Sequence, residues 1–147
     1  TGVNVEVDFS SGWNLLGLPI ETEENEVSQV YPQSVEDATY EYSSGGYSQT
    51  ETLVPGNGYW IRFDESGTQE LYGNSIDILS IDVTEGWNLI SGLSFGISIG
   101  QINDNNLLIP GTIYGFDGGY VNVEFLEPGE GYWVRANDSG SIILTSD

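Results

Sequence analysis

The sequence predicts an all-β fold: two tandem repeats of about 73 residues, packed about a pseudo-twofold axis as one sandwich or barrel-like domain, with at most short helical turns. Three observations carry this. The stretch Pro55-Gly56-Asn57-Gly58-Tyr59-Trp60-Ile61-Arg62 returns almost letter for letter as Pro128-Gly129-Glu130-Gly131-Tyr132-Trp133-Val134-Arg135. Short apolar runs bounded by Gly, Asn, Asp and Ser fill the chain from end to end. Helix-like spacing is confined to residues 26–31 and 98–103.

Each copy opens on a strand. Val3-Asn4-Val5-Glu6-Val7-Asp8-Phe9 alternates without a break, as a half-buried strand does. Its counterpart, residues 76–83, is less regular around Ile78-Leu79, where a bulge or a change of buried face restores the pattern. Gly12-Trp13-Asn14-Leu15-Leu16 and Gly86-Trp87-Asn88-Leu89-Ile90 follow at an offset of 74 (87 minus 13), with apolar side chains on both faces, so these strands are covered on two sides. A short helical turn comes next in each copy, and Pro32 stops the first. Tyr40-Glu41-Tyr42, a Gly-Gly turn and Tyr47 form a hairpin that recurs as Tyr114-Gly115-Phe116, Asp117-Gly118-Gly119 and Tyr120. From there to Trp60 and Trp133 the offset is 73 (133 minus 60), and the lost residue falls in the turn that contains Ser43-Ser44. The Pro-Gly-x-Gly element, the Tyr-Trp strand, a polar turn and a last strand near Leu71 or Ile143 complete each unit.

Nothing between the copies resembles a linker, so residues 1–75 and 76–147 read as the two repeats of a single domain, 1–147. A thin sheet of this length buries little surface alone, which predicts one shared core. Strand exchange between the halves is compatible with the same pattern.

Charge narrows the function classes. Twenty-three acidic residues face only two basic ones, Arg62 and Arg135, for a formal net charge of -21. Such a chain repels phosphate backbones and anionic lipid, which argues against nucleic-acid and membrane-surface roles. With no Cys, no His and no Lys, the thiol, imidazole and Schiff-base chemistries have no residue to use them. No carboxylate pair stands out from the rest, so the expectation is a non-catalytic protein without a cofactor. No apolar run reaches membrane-span length and no signal peptide opens the sequence, so the chain is expected to be a mature product or excised piece, located outside the cell.

Three constellations are candidates for chemistry. Alternation places Trp60 and Arg62, and likewise Trp133 and Arg135, on one face of their strands. There the guanidinium either stacks on its i−2 indole and pins the sheet, or stands beside an aromatic platform. With Trp13 and Trp87, these residues are read as structural keystones. The hairpin aromatics Tyr42, Tyr47, Phe116 and Tyr120 surround a narrow tip that leaves some of them in solvent, where they suit either a glycan or cross-strand pairing. These four are the candidate ligand-binding residues. The loops bearing Glu23, Glu24 and Asp104 hold oxygen ligands of the kind Ca²⁺ takes, but without the spacing of a known calcium loop; a solvated acidic loop is the competing reading.

The Gly12-Trp13-Asn14-Leu15 and Gly58-Tyr59-Trp60 motifs, with their second copies, resemble a β repeat found in large secreted and cell-surface proteins of environmental bacteria. The resemblance spans nearly the whole chain and implies a non-catalytic module attached to adhesins, surface-layer proteins or hydrolases. The second copy departs at Ser91-Gly92-Leu93-Ser94, where the first has Gly17-Leu18-Pro19-Ile20. The functional expectation is a structural or adhesive extracellular module. The alternatives are a carbohydrate-binding module using Tyr or Trp platforms, and a subunit of an extracellular filament that adds strands along residues 3–9. The expected partners are a glycan or neighbouring surface-protein modules.

Overall fold

Alternation becomes a strand at once: in β1 (Gly2–Phe9) Val5, Val7 and Phe9 are buried while Asn4, Glu6 and Asp8 face solvent. The structure is a computed structural model that describes residues 2–43 and 45–146. Ser44, in the turn where the repeats differ in length, lies outside the described residues. The first repeat continues through β2 (Gly12–Gly17), β3 (Ile20–Glu21), α1 (Val27–Val30), β4 (Ser34–Ser43), β5 (Gly46–Gln49), β6 (Gly58–Phe63) and β7 (Gly67–Ser75). The second contains β8 (Ile78–Val83), β9 (Gly86–Ser91), β10 (Ile97–Ser98), a 3₁₀ turn (Ile99–Gln101), β11 (Ile102–Asn103), β12 (Tyr114–Phe116), β13 (Tyr120–Asn122), β14 (Phe125–Leu126), β15 (Gly131–Ala136) and β16 (Gly140–Thr145). The helical turns are short, and all the strand pairs are antiparallel.

Within the first repeat, a sheet ordered β1-β7-β3 lies over one ordered β2-β6-β4-β5. Val5, Val7, Phe9 and Leu71 of the one meet Leu16, Tyr59, Ile61 and Phe63 of the other. The second repeat repeats the plan with β11-β16-β8 and β13-β12-β15-β9, enclosing Ile81, Val83, Ile142 and Leu144 against Ile90, Tyr132 and Val134. Each such side chain contributes about 1.5–3 kcal/mol by leaving water. Among the described residues, every named strand pairs inside its own repeat, so the halves do not exchange strands, and the sheets stay open rather than closing into a barrel. The irregularity at Ile78 is a change of buried face, not a bulge, since β8 pairs with β16 in unbroken register. Ile76 is buried in the connection, and β8 starts afresh with Ile78 outside and Ile81 and Val83 inside.

The core is divided, not single as the thinness of each unit suggested. Each repeat encloses its own cluster, and a third, Leu15, Leu89 and Trp133 with Trp60, Tyr42, Tyr114 and Phe116, lies where the outer faces of the two four-stranded sheets meet. The contacts at this seam are reciprocal. Leu16 bridges Glu130, and its equivalent Ile90 bridges Asn57, the equivalent of Glu130. The Gly17 N–H donates to the Gly129 carbonyl and the Ser91 N–H to that of Gly56, both at 2.9 Å. Tyr42 meets Trp133 edge-on at 4.8 Å, and Phe116 meets Trp60 edge-on at 4.9 Å. A set of contacts in which i touches j and j touches i is the mark of a twofold axis, here internal to one chain.

This seam explains the repeated glycines. A Cβ on Gly58 would lie 2.7 Å from the Ile90 carbonyl oxygen and 2.9 Å from Leu89 Cγ, and one on Gly131 would lie 2.9 Å from Leu15 Cγ. Pro-Gly-x-Gly is therefore the segment over which each repeat closes on the other, and only the absence of a side chain allows that approach.

Candidate functional site

The site begins with two local devices. In each Gly-Trp-Asn turn the Asn side chain clips the entering chain. Asn14 Oδ1 accepts from the Ser10 N–H at 2.9 Å and its amide donates to the Ser10 carbonyl at 2.8 Å, while Asn88 does the same with Thr84 at 3.0 and 2.9 Å. The clip fixes the start of β2 and β9, and with it the positions of Trp13 and Trp87. On β6 and β15 the Tyr of Tyr-Trp points the other way, into its repeat's core. There the Tyr59 hydroxyl accepts from the Val54 N–H at 2.8 Å and the Tyr132 hydroxyl from the Glu127 N–H at 2.6 Å. Burial first pushes both phenols above their ordinary range. The adjacent Trp is thereby fixed on the seam face.

The hairpins β4-β5 and β12-β13 carry the remaining rings to the axis. Tyr42 pairs with Tyr47 in register and packs edge-on at 5.2 Å; Phe116 and Tyr120 do the same at 5.6 Å. The two tips converge, so that Tyr42, Tyr47, Trp87, Tyr114, Tyr120 and Trp133 line one open cavity of about 460 Å³. That volume lies within the range of small-ligand sites. Two lining residues come from the first repeat and four from the second. Tyr47 is 54% exposed and Tyr120 57%, whereas Trp133 is only 8% exposed and forms the floor. The buried Trp133 Nε1 has no hydrogen-bond partner among the described residues. The Tyr47 hydroxyl titrates above the ordinary phenol range, chiefly through burial, with the neighbouring Trp60 opposing the shift and the nearby Tyr120 and Tyr42 adding to it. Tyr47 therefore presents a neutral hydroxyl.

No protein-family model, curated protein or solved structure matches the chain.

Of the four hairpin aromatics singled out in the sequence, Tyr42, Tyr47 and Tyr120 line the cavity, and Phe116 backs it by packing on Tyr120 and Trp60. Tyr114, from the second hairpin, and Trp87 and Trp133 complete it; sequence spacing alone does not bring the two Trp residues to the hairpin tips. The four Trp residues divide. Trp133 is buried and Trp60 half-buried at the seam, whereas Trp13 and Trp87 are 44% and 40% exposed, so the Gly-Trp-Asn strands are not fully covered on both sides. Arg62 and Arg135 are placed by the register of their strands. Both are exposed, and the ring directly across from each is Trp13 or Trp87 on the neighbouring strand, while the i−2 indoles are engaged with Phe116 and Tyr42 of the opposite repeat.

The acidic loops stay apart. Glu23 and Glu24 precede α1 in the first repeat, with the Glu24 N–H donating to Thr22 Oγ1 at 3.3 Å. Asp104 lies in the second, where its carboxylate accepts from the Asn106 and Leu108 N–H groups at 3.1 and 3.2 Å and so caps its own turn. Among the described residues no group of three or more carboxylates is arranged to hold a metal ion.

One carboxylate escaped sequence reasoning. Glu130 stands where the first repeat has Asn57, against Leu16 at the seam, in a groove it shares with Glu6, Asp8, Asp117 and Glu127. Burial first, then Asp8, Glu127 and Asp117, pushes its carboxyl from 4.5 to about 7. The signal in the sequence was the break in symmetry, Asn-for-Glu inside an otherwise matching motif.

Proposed function

We propose that the chain is a non-catalytic extracellular module of a secreted or cell-surface protein, and that it adheres to carbohydrate through the aromatic cavity between its repeats. The observation that carries this reading is the convergence of six Tyr and Trp rings from both repeats on one open cavity. Aromatic faces take up the apolar faces of sugar rings, while phenol hydroxyls and an indole N–H supply the few hydrogen bonds that orient them. Among the described residues the lining holds no carboxylate, and so none of the acid and base pair that glycoside cleavage uses. Affinity electrophoresis through gels containing a panel of polysaccharides tests the proposal. At least one should retard the protein, and Tyr47→Ala or Tyr120→Ala should abolish the retardation without changing the melting temperature by more than a few degrees. Migration unaffected by every polysaccharide would refute it.

A structural role for the same module is favoured by a separate observation: β1 lies at the edge of its sheet, eight residues long and unpaired on one side. Such an edge suits lateral assembly with a neighbouring module. Concentration-dependent sedimentation of the whole chain, removed by a Pro at an outward position of β1, is the expected outcome if that edge is used.

A further inference from the structure

Six aromatic side chains with no charged residue among them line the cavity, and their mutual angles are steep. Tyr42 meets Trp133 at 79°, Trp87 meets Trp133 at 90°, Tyr42 meets Tyr47 at 65° and Trp87 meets Tyr114 at 52°. A sugar ring stacking by its flat face needs one platform, or two parallel ones. Crossed rings instead turn several electron-rich faces toward one compact group, the arrangement that holds a cation by its attraction to ring quadrupoles. The surroundings act in the same direction. At a net charge of -21 the molecule draws cations toward its surface and repels uronate or sulfate groups. Arg135 on β15 pairs in register with Trp87 on β9, is exposed, and is not among the described lining residues. The hydroxyls of Tyr42, Tyr47 and Tyr120 add acceptors for N–H donors.

Building on the reading of this cavity as a carbohydrate site, we infer that it selects a glycan bearing a protonated amino group, a de-N-acetylated amino sugar, over neutral or acidic sugars. The ammonium sits among the crossed rings, and the rest of the sugar rests on the exposed faces of Tyr47 and Tyr120.

Calorimetric titration with three soluble β-1,4-linked hexamers, of glucosamine, of N-acetylglucosamine and of glucose, at a pH where the amine is protonated, tests this. The glucosamine hexamer should bind about fivefold or more tighter than either of the others, the ratio expected from one partly desolvated cation–π contact. Trp87→Leu, which removes one of the crossed rings at a partly exposed position and leaves the net charge unchanged, should erase that preference, whereas Tyr47→Ala and Tyr120→Ala should weaken all three hexamers alike. Equal affinity for the three hexamers overturns the inference and leaves the carbohydrate site standing. A glucosamine preference that survives Trp87→Leu also overturns it, because the general field of the acidic surface would then account for the binding. If none of the hexamers binds and no other glycan does, the underlying reading falls with it.

Discussion

Gly17 and Ser91 occupy equivalent places in the two repeats and face each other across the internal axis. A Cβ on Gly17 would collide with the side chain of Ser91, lying 2.6 Å from its Oγ. Only one side chain fits where the two halves touch, and this accounts for the divergence of Ser91 from its counterpart. Gly17→Ser should therefore cost about 1–3 kcal/mol by overpacking, whereas the exchange Gly17→Ser with Ser91→Gly should recover most of that loss in a urea melt. A double variant no better than the single would show that the two positions are not coupled. Glu130 gives a second prediction. Its folded carboxyl titrates near 7 against an ordinary 4.5, so between those values the folded chain holds the extra proton. This group's contribution to stability is present below about 4.5 and is lost as pH rises toward 7. Glu130→Gln should flatten the fall in melting temperature across that window, and an unchanged slope would assign it to other groups. Neither Gly17 nor Glu130 could be read from the sequence, because each owes its role to a neighbour more than seventy residues away. What the sequence did carry at both positions was a broken repeat.

Among the elements, the strands were the most legible. Alternation in residues 3–9, the Gly-rich hairpin turns and the Tyr-Trp strands all lie where the pattern places them, since period-two burial is a local property. What the pattern could not supply was which face of a doubly apolar strand meets which partner. Trp13 and Leu15 share a face, yet Leu15 is buried at the seam and Trp13 stays largely exposed. The surroundings of the Arg residues were hidden for the same reason. Spacing puts Arg62 beside Trp60, but the packing of Trp60 on Phe116 is decided by the other repeat. The Gly-Trp-Asn turn was visible as a motif, with its mechanism hidden until Asn14 and Asn88 were seen to clip the backbone. Asn14→Ala, which frees a backbone N–H and a carbonyl from their shared partner, should lower stability by about 1–2 kcal/mol, and Asn88→Ala should match it. Chemical denaturation of the two variants checks both the size and the equality. A large effect at one site only would mean that the turns are not equivalent devices.

For the molecule as a whole, the sequence foretold two copies and their twofold relation, because symmetry is written in the offsets. It did not foretell that each copy would keep a core of its own and use its outer aromatic face to join the other. That arrangement matters for function, since the cavity takes Tyr42 and Tyr47 from one repeat and Trp87, Tyr114, Tyr120 and Trp133 from the other and so belongs to neither alone. A ligand entering there is seen most directly through the four indole N–H resonances. Titrating a retained glycan into isotopically labelled protein should move the Trp87 and Trp133 indole signals saturably and leave that of Trp13 in place. Shifts at Trp13 alone, or a bound glycan that moves none of the four, would contradict the assignment of the inter-repeat cavity as the binding site.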